Sequence, residues 1–154
     1  MKKLMWVFVC VSYAAFTAAA FAQDADDIIG LWITAGGDSH IEIYKKGKLY
    51  FGRIAALKKP NYELREVDGM AGQPRVDRNN PDVSLRNRPL IGLELMTNFL
   101  FEERIWRNGR IYNPRNGKTY RSNLRLTKNG ALKVRGYIGF SWFGGSSVWR
   151  RVSE

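Results

Sequence analysis

The amino-acid sequence predicts an all-β protein, an antiparallel barrel of about eight strands with one long loop or short helical segment. Three Asn-Gly dipeptides, at 108–109, 116–117 and 129–130, follow one another among apolar and aromatic residues. Both residues tolerate positive φ, which tight hairpin turns require, so each dipeptide predicts a turn between antiparallel strands. Short stretches of period-two alternation recur along the chain, whereas no long helical pattern does. A barrel is favoured over a sandwich because closure removes exposed strand edges.

The first 22 residues have the pattern of a secretory signal peptide. Lys2 and Lys3 precede the apolar run Leu4–Ala20, and the small-residue cleavage pattern Ala20-Phe21-Ala22 follows before Gln23. The alternative, a single N-terminal membrane anchor, fits less well because the cleavage pattern follows the apolar run directly. We therefore expect removal of residues 1–22. Residues 23–154 are expected to form a single exported domain, periplasmic or secreted, that does not span a membrane.

Composition limits the chemistry of this domain. The single cysteine, Cys10, lies in the predicted signal peptide, so the mature chain has no disulfide, thiol nucleophile or thiolate metal site. Removing Lys2 and Lys3 from the 25 Lys and Arg residues leaves 23, against 14 Asp and Glu, for a net charge of +9. An exported protein rarely meets nucleic acid, so this charge favours an anionic ligand, a lipid head group or the envelope surface as partner. Solubility alone is the alternative explanation.

The N-terminal part of the domain predicts a three-stranded meander. Gly30–Thr34 opens the domain, and Ser39–Tyr44 alternates Ile41 and Ile43 with polar residues. Lys48–Lys59 continues the apolar pattern after a glycine turn. Period-two alternation of this kind is typical of half-buried strands.

A long connection is predicted at Pro60–Val83, which mixes both charge signs and shows no alternation. Loops of this length are uncommon unless they are functional lids or mobile segments, and we interpret this one as a lid. Within it, Asn61–Val67 predicts one or two helical turns after Pro60. Further along, Leu90–Glu94 predicts a strand followed by a short turn of helix.

The C-terminal half predicts a series of hairpin strands, at Glu103–Trp106, Arg110–Asn113, Lys118–Leu126, Ala131–Phe140 and Ser147–Val152. The longer ones alternate apolar or small residues with Arg, Asn and Lys, which predicts one buried and one solvated face. A barrel of about eight strands has an interior that side chains can fill or that can hold one small ligand.

Seven short motifs are spread over nearly the whole mature chain: Gly30-Leu31-Trp32, Asp77-Arg78-Asn79-Asn80-Pro81-Asp82, Arg86-Asn87-Arg88-Pro89-Leu90-Ile91-Gly92, Gly109-Arg110-Ile111-Tyr112-Asn113-Pro114, Gly117-Lys118-Thr119-Tyr120, Val134-Arg135-Gly136-Tyr137-Ile138-Gly139 and Trp149-x-Arg151. Together they resemble a family of exported bacterial proteins known as domain of unknown function 2147. The resemblance implies a lipocalin-like barrel. It implies no activity, because the family has no established biochemical role. The chain departs from the usual family pattern at Gly144-Gly145-Ser146-Ser147, where a basic residue commonly follows the glycine, which weakens the case for a ligand contact from this turn.

The two ends of the chain also resemble the lipocalin pairing of a first-strand tryptophan with a last-strand arginine. The residues concerned are Trp32 at one end and Trp149 and Arg151 at the other. A guanidinium group over an indole ring stabilises a protein by about 0.5–2 kcal/mol. We expect this group to close one end of the barrel, and favour that structural role over a ligand contact.

The motif at residues 77–82 offers several side-chain oxygens, as a calcium loop does. It lacks the regular ligand spacing, central glycine and distant glutamate of an EF-hand. Asx turns before a proline explain the same residues, so we expect no metal. Asp77, Asn79 and Asn80 remain candidate ligand contacts.

Arg86 and Arg88 could each present a planar guanidinium group to a carboxylate or phosphate. The alternative is an internal ion pair with Asp77 or Asp82. Tyr112 and Tyr120 flank the turn 113–118 and could carry their hydroxyl groups towards a barrel mouth. Core packing with a polar tip explains these tyrosines equally well.

Few residues suit catalysis, so an enzyme is the third and least favoured interpretation, and we expect no cofactor. His40 is the only histidine, and an outward strand position explains it. Gly139–Gly144 has the wrong spacing for a nucleophile elbow, and no glycine-rich phosphate motif is present. The sequence thus predicts an exported barrel that binds a slender, partly apolar and anionic small molecule. The alternative is an envelope-associated protein-interaction module with a packed interior.

Overall fold

A computed structural model describes residues 23–64, 69–137 and 144–152. The described residues form the strands β1 (Gly30–Ile33), β2 (Ser39–Lys46), β3 (Leu49–Leu57), β4 (Glu94–Glu102), β5 (Ile105–Asn113), β6 (Lys118–Leu126), β7 (Leu132–Tyr137) and β8 (Gly144–Arg151). A short 3-10 helix, Ala25–Ile28, precedes β1, and a second, Val83–Leu85, lies between β3 and β4. The predicted signal peptide lies outside the described residues.

Each strand pairs antiparallel with the next, and β8 pairs with β1, so the sheet closes into a barrel. The pairing of β8 with β1 comprises two residue pairs, Trp32 with Arg151 and Ile33 with Arg150. The predicted all-β barrel of about eight strands is therefore confirmed. Because the strands run in sequence order, the turns between them alternate between the two ends of the barrel.

The predicted alternation is confirmed in the strands where it was clearest. In β6, Ser122 and Leu124 are buried, whereas Arg121 and Arg125 are exposed. In β7, Leu132 and Val134 are buried, whereas Lys133 between them is exposed. The largest fully buried side chains are aromatic: Trp32, Trp106, Tyr50 and Phe99. All four lie towards the end of the barrel where β1 begins.

The predicted turn at Asn108-Gly109 is wrong, because both residues lie inside β5. Asn108 has a φ of 60° and lies where the register between β5 and β6 shifts, so it forms a β-bulge. A Cβ atom on Gly109 would collide with the ring of Phe99 on β4. Glycine at this position therefore allows β5 and the Phe99 ring of β4 to approach each other closely. The predicted strands at 103–106 and 110–113 are one strand.

The turn between β4 and β5 falls instead at Glu103 and Arg104, whose φ values are 48° and 62°. Neither residue type favours positive φ, so this turn is imposed by the pairing of the two strands. Asn116-Gly117 and Asn129-Gly130 do lie in turns, as predicted. Among their four residues only the two glycines have positive φ, 67° and 77°, so these are not the two-residue turns that the sequence suggested.

The predicted strand at Leu90–Glu94, with a turn of helix after it, is also wrong. β4 begins at Glu94 and continues to Glu102. Its alternation is broken because Leu95 and Met96 are both buried and Asn98, at a φ of 60°, forms a bulge against β3. A strand with such a bulge gives no clean period in the sequence.

The connection between β3 and β4 has little regular structure. Two isolated bridges, Asn61 to Pro74 and Val76 to Pro89, fold it back on itself. The predicted helical turns at Asn61–Val67 are absent over residues 61–64, and residues 65–68 lie outside the description. β7 ends at Tyr137, and residues 138–143, which include most of the Gly139–Gly144 motif, also lie outside the description.

Candidate ligand site in the open end of the barrel

One end of the barrel is closed by the 3-10 helix that precedes β1. The indole nitrogen of Trp32 donates to the carbonyl of Ile28 at 2.8 Å. The indole nitrogen of Trp106, on the opposite side of the barrel, donates to the carbonyl of Ala25 at 3.0 Å. Two large aromatic side chains are thus fully buried with their polar atoms satisfied by the helix. We call this the closed end.

A second set of bonds ties the helix to β2 and β3. The ammonium group of Lys45 donates to the Asp26 carboxylate at 2.7 Å, and the hydroxyl of Tyr50 donates to the same carboxylate. These bonds, from Lys45 first and then Tyr50, hold the pKa of Asp26 below its usual value. Burial, followed by the bond to Asp26, raises the pKa of Tyr50.

Arg151 covers the closed end from β8. Its guanidinium carbon lies 4.3 Å from the ring centroid of Trp32, and it donates to the carbonyls of Ile29, at 2.8 Å, and Asp27. A Cβ atom on Gly30 would lie 2.9 Å from an Arg151 nitrogen, and Gly30 has a φ of 129°. The glycine of the Gly-x-Trp motif therefore leaves room for the arginine that stacks on the tryptophan.

The other end of the barrel, which we call the open end, contains a cavity of about 560 Å³. Residues from β2 to β8 line it, so it lies within the sheet cylinder. Its deeper wall is apolar and includes Ile41, Ile54, Val134 and Trp149. Trp149, which the sequence grouped with the closure residues, is buried and faces this cavity, with its indole nitrogen donating to Ser147 at 3.0 Å.

The rim of the cavity is polar. Arg115, in the turn between β5 and β6, donates to Asp38, in the turn between β1 and β2, at 2.8 Å. Both residues line the cavity, and both are largely exposed. Tyr120 also lines it, and its hydroxyl accepts a bond from Asn116 at 2.9 Å. An ion pair between residues 77 positions apart thus spans two turns at the open end.

Asp77, Asn80, Arg88 and Tyr112 meet at one point, where the long connection crosses β5. The Asp77 carboxylate is fully buried. It accepts bonds from Arg88 at 3.0 and 2.8 Å, from the Tyr112 hydroxyl at 2.6 Å and from Asn80 at 2.8 Å. The internal ion pair with Asp77, left open for Arg88 by the sequence, is therefore present. These four residues fasten the connection to the barrel.

The environment of Tyr112 reflects this anchoring. Burial, and then the hydrogen bond to the Asp77 carboxylate, raises the pKa of the Tyr112 hydroxyl. The Arg88 guanidinium carbon lies 5.7 Å from the centroid of the Tyr112 ring. Tyr112 also lines the 560 Å³ cavity, so it forms part of the wall between the cavity and the anchored connection.

The remaining candidates lie further from the cavity. The side chain of Asn79 donates to the carbonyls of Pro114 and Arg115, at 3.2 and 3.0 Å, and so joins the connection to the β5–β6 turn. Arg86 is exposed and donates to the carbonyl of Asn80 at 2.8 Å. Neither Asn79 nor Arg86 lines the cavity. Both support the loops around it.

A smaller cavity of about 290 Å³ lies between the connection and the strands β4 to β6. Its lining includes Asn80, Arg88, Glu94 and Arg110, and it shares Tyr112 with the larger one. Of the seven residues proposed from the sequence as ligand contacts, two line the larger cavity and three the smaller, with Tyr112 counted in both.

Among the described residues, no three His, Cys, Asp or Glu side chains are grouped so that they could hold a metal ion. The carboxylate of Asp77 is occupied by its three partners, and that of Asp82 accepts bonds from the amide and hydroxyl of Ser84. His40 is half-buried on β2, opposite Ile33 and Ala56.

Sequence reasoning missed most of the rim. Asp38, Ser39, Arg115, Ser146 and Ser147 all line the larger cavity, and none was a candidate. One signal could have found some of them. At the open end, inward strand positions carry small residues, such as Ser39, Gly136 and Ser147, where the closed end has tryptophan and phenylalanine. Residues 145–147, near the start of β8, are part of this lining, although the sequence made a ligand contact from them less expected.

A family model described as an uncharacterized protein conserved in bacteria (DUF2147) matches residues 30–151. The chain belongs to the DUF2147 family. The resemblance that the motifs suggested is thereby confirmed, and the match includes both ends of the barrel. A comparison with curated proteins finds no match.

Among solved structures, this DUF2147 chain is similar to protein HP1028 from the human pathogen Helicobacter pylori, which is described as belonging to the lipocalin family. The two chains are 22% identical, the similarity covers 82% of this chain and 83% of that one, and the TM-score is 0.67. At this identity the likeness concerns the fold, which is lipocalin-like. Within the described residues, no helix is long and apolar enough to cross a membrane.

Proposed function

We propose that this chain is an exported barrel that binds a slender, partly apolar and anionic small molecule in its open end. The observation that carries the proposal is the cavity of about 560 Å³, lined by seven of the eight strands. Its volume falls in the range of roughly 300–1,000 Å³ that is usual for small-molecule sites. A lipocalin-like fold is compatible with a ligand held in the mouth of a β-barrel.

The polarity of the cavity supports an amphiphile. The apolar wall formed by Ile41, Ile54 and Val134 suits a hydrocarbon tail or a compact ring. Hydroxyl groups and one arginine stand at the rim, where a polar head would remain close to water. A ligand of this kind would enter tail first and leave its head between the loops.

The charge at the rim defines the anionic part of the proposal. Arg115 is the arginine of the cavity lining, and its partner is the exposed carboxylate of Asp38. A ligand carboxylate or phosphate can take the place of Asp38, because a guanidinium group binds either acid in the same planar geometry. Arg115 therefore replaces Arg88 as the proposed head-group contact, since Arg88 is bound to the buried Asp77. Tyr120 is the neighbouring hydroxyl.

The test uses Trp149 as a reporter, because its side chain faces the cavity. A medium-chain fatty acid brominated along its tail should quench the protein fluorescence in a saturable way, and Trp149→Phe should remove most of the change. Arg115→Gln should weaken the acid about tenfold and spare the alcohol of the same length. Arg150→Gln, an exposed arginine on the outside of the barrel, is the matched control.

Three outcomes separate the parts of the proposal. Equal affinity for the acid and the alcohol would remove the anionic head group. Saturable quenching that survives Gly136→Leu, which places a side chain in the cavity wall, would move the site elsewhere. No saturable binding of either ligand would favour the alternative, an interaction module with a filled interior. The cavity is the observation that argues against this alternative. Export is tested separately by the N-terminal residue of the protein from its host, expected to be Gln23.

A further inference from the structure

Basic residues are distributed very unevenly along the chain. From residue 104 to residue 153 there are 12 Lys and Arg residues and no Asp or Glu. From residue 23 to residue 103 there are 11 Lys and Arg residues against 13 Asp and Glu. The net positive charge of the mature chain therefore belongs to the part that forms β5 to β8.

The strand register gathers five of these cations on one outer face. Arg110 of β5 lies directly opposite Arg121 of β6, and Arg125 of β6 lies directly opposite Lys133 of β7. Arg135 of β7 lies between these two rows, opposite an asparagine. Four of the five are exposed, and Arg135 is half-buried. We call the outer surface carrying these five residues the basic face.

On the opposite side of the barrel, basic side chains are neutralised by acidic ones. There, Arg53 lies opposite Glu42 and donates to it at 2.7 Å, and Lys46 pairs with Glu94 at 3.1 Å. On the basic face two directly opposed pairs, Arg110 with Arg121 and Arg125 with Lys133, have the same sign, which destabilises the pairing of those strands. Among the described residues, neither Arg110 nor Arg121 takes part in an ion pair. An arrangement that works against folding calls for an anion from outside the barrel.

We propose that the basic face binds the surface of an anionic phospholipid bilayer. Three adjacent strands present their cations over a continuous outer surface, which suits a plane of head groups. Each Lys or Arg near such a surface adds attraction. An exposed Val148, opposite Lys133, places one apolar side chain at the edge of the face. A nucleic acid strand fits less well, because among the described residues this face has Tyr137, opposite Arg121, but no row of aromatic side chains on which bases could stack.

The test is partition of the full chain onto vesicles of phosphatidylcholine alone and onto vesicles that also contain phosphatidylglycerol. The double variant Arg121→Gln/Arg125→Gln should lower the partition onto phosphatidylglycerol vesicles about tenfold or more. The control Arg53→Gln/Lys46→Gln removes the same charge from the paired face and should change it less than about threefold. Any binding through the apolar run 4–20 would occur on both vesicle types, so it does not contribute to the difference in partition between them.

Equal losses for the two double variants would overturn the proposal, because net charge and not the basic face would then govern binding. The absence of a difference between the two vesicle types for the unmodified chain would overturn it too. Tighter binding to a single-stranded oligonucleotide than to phosphatidylglycerol vesicles would assign the face to nucleic acid instead. Unfolding curves should show that Arg121→Gln/Arg125→Gln is not destabilised, since Arg121→Gln relieves a like-charge pair with Arg110. They should also show that the control, which loses two exposed ion pairs, stays folded.

Discussion

The two ends of this barrel are built in different ways from the same eight strands. At the closed end, Trp32, Trp106 and Phe99 fill the interior, and a 3-10 helix accepts hydrogen bonds from both tryptophans. At the open end, the inward positions carry small and polar residues, and a cavity of about 560 Å³ remains. The long connection beside it is fastened by the buried carboxylate of Asp77.

The difference shows that alternation specifies a barrel wall but not what the barrel encloses. Away from the bulges in β4 and β5, both ends follow the same period of two, and the inward side chains differ in volume between them. Tyr50 and Phe99 meet across β3 and β4 at the closed end, whereas Gly136 and Gly145 meet across β7 and β8 at the open end. Packing at one end supplies the stability on which a cavity at the other depends.

The largest effect is expected at Asp77, which supports the open end. Asp77→Ala removes a buried carboxylate with bonds to Arg88, Tyr112 and Asn80 and should lower the free energy of unfolding by about 2–3 kcal/mol. The loss stays below that of a wholly buried pair because Arg88 is partly exposed and regains water. Urea denaturation measures it.

Asp82→Ala is the control for this variant, since Asp82 is exposed and caps only the short 3-10 helix through Ser84. Its cost should be about 0.5–1 kcal/mol. Hydrogen exchange should show faster exchange in the connection of Asp77→Ala and unchanged exchange in β6 and β7. Equal destabilisation by the two variants would mean that the Asp77 network does not anchor the connection.

Two glycines on either side of Ser122 compare the packed and open parts of the interior directly. Gly109 and Gly136 both pair with Ser122, on β5 and β7 respectively. Gly109→Ala drives a methyl group into the Phe99 ring and should cost about 1–3 kcal/mol. At Gly136 the nearest atoms would lie 3.7 and 3.8 Å from the new methyl group, so Gly136→Ala should cost less than about 0.5 kcal/mol.

Thermal or urea unfolding of the two alanine variants in parallel measures this contrast. Equal losses in the free energy of unfolding would show that the two positions are packed equally tightly. Destabilisation by Gly136→Ala alone would show that the tight contact lies on the β7 side of Ser122 and not on the β5 side.

The stack at the closed end should give a smaller effect. A double-mutant cycle with Arg151→Ala and Trp32→Leu should show a coupling of at least about 0.5 kcal/mol, because the guanidinium carbon lies 4.3 Å from the ring centroid. The same cycle with Arg150→Ala in place of Arg151→Ala should show none, since Arg150 is exposed on the other face of β8. Additive losses in the first cycle would show that the stack contributes nothing to closure.

The smallest effect is a pH dependence at the closed end. Because its bonds to Lys45 and Tyr50 lower the folded-state pKa of Asp26, the stabilisation is complete above the unfolded pKa and is lost as the pH falls through the folded pKa. Asp26→Asn should therefore be less stable than the parent protein at about pH 6 and approach it at about pH 3. Denaturation curves at both pH values test this. A gap that is constant between them would show that ionisation of Asp26 is not involved.

Much of the fold could be predicted because its signals are local. The alternation in β2, β6 and β7 is carried by neighbouring residues, and two of the three Asn-Gly dipeptides do lie in turns. The third could not be interpreted locally, since Gly109 is explained by the ring of Phe99 on another strand. The candidate site was harder still, because Arg115 and Asp38 meet only after the barrel has closed.

The sequence by itself determined the class of the fold, the family and the pairing of Trp32 with Arg151. Each of these rests on a motif or a short-range pattern. The tertiary structure alone decided which inward positions enclose a cavity and which are packed. It also assigned Arg88 to Asp77 and left Arg115 at the rim. The physical reason is that strand register, bulges and loop anchoring depend on contacts between residues far apart in the chain, and a local pattern carries no information about distant partners.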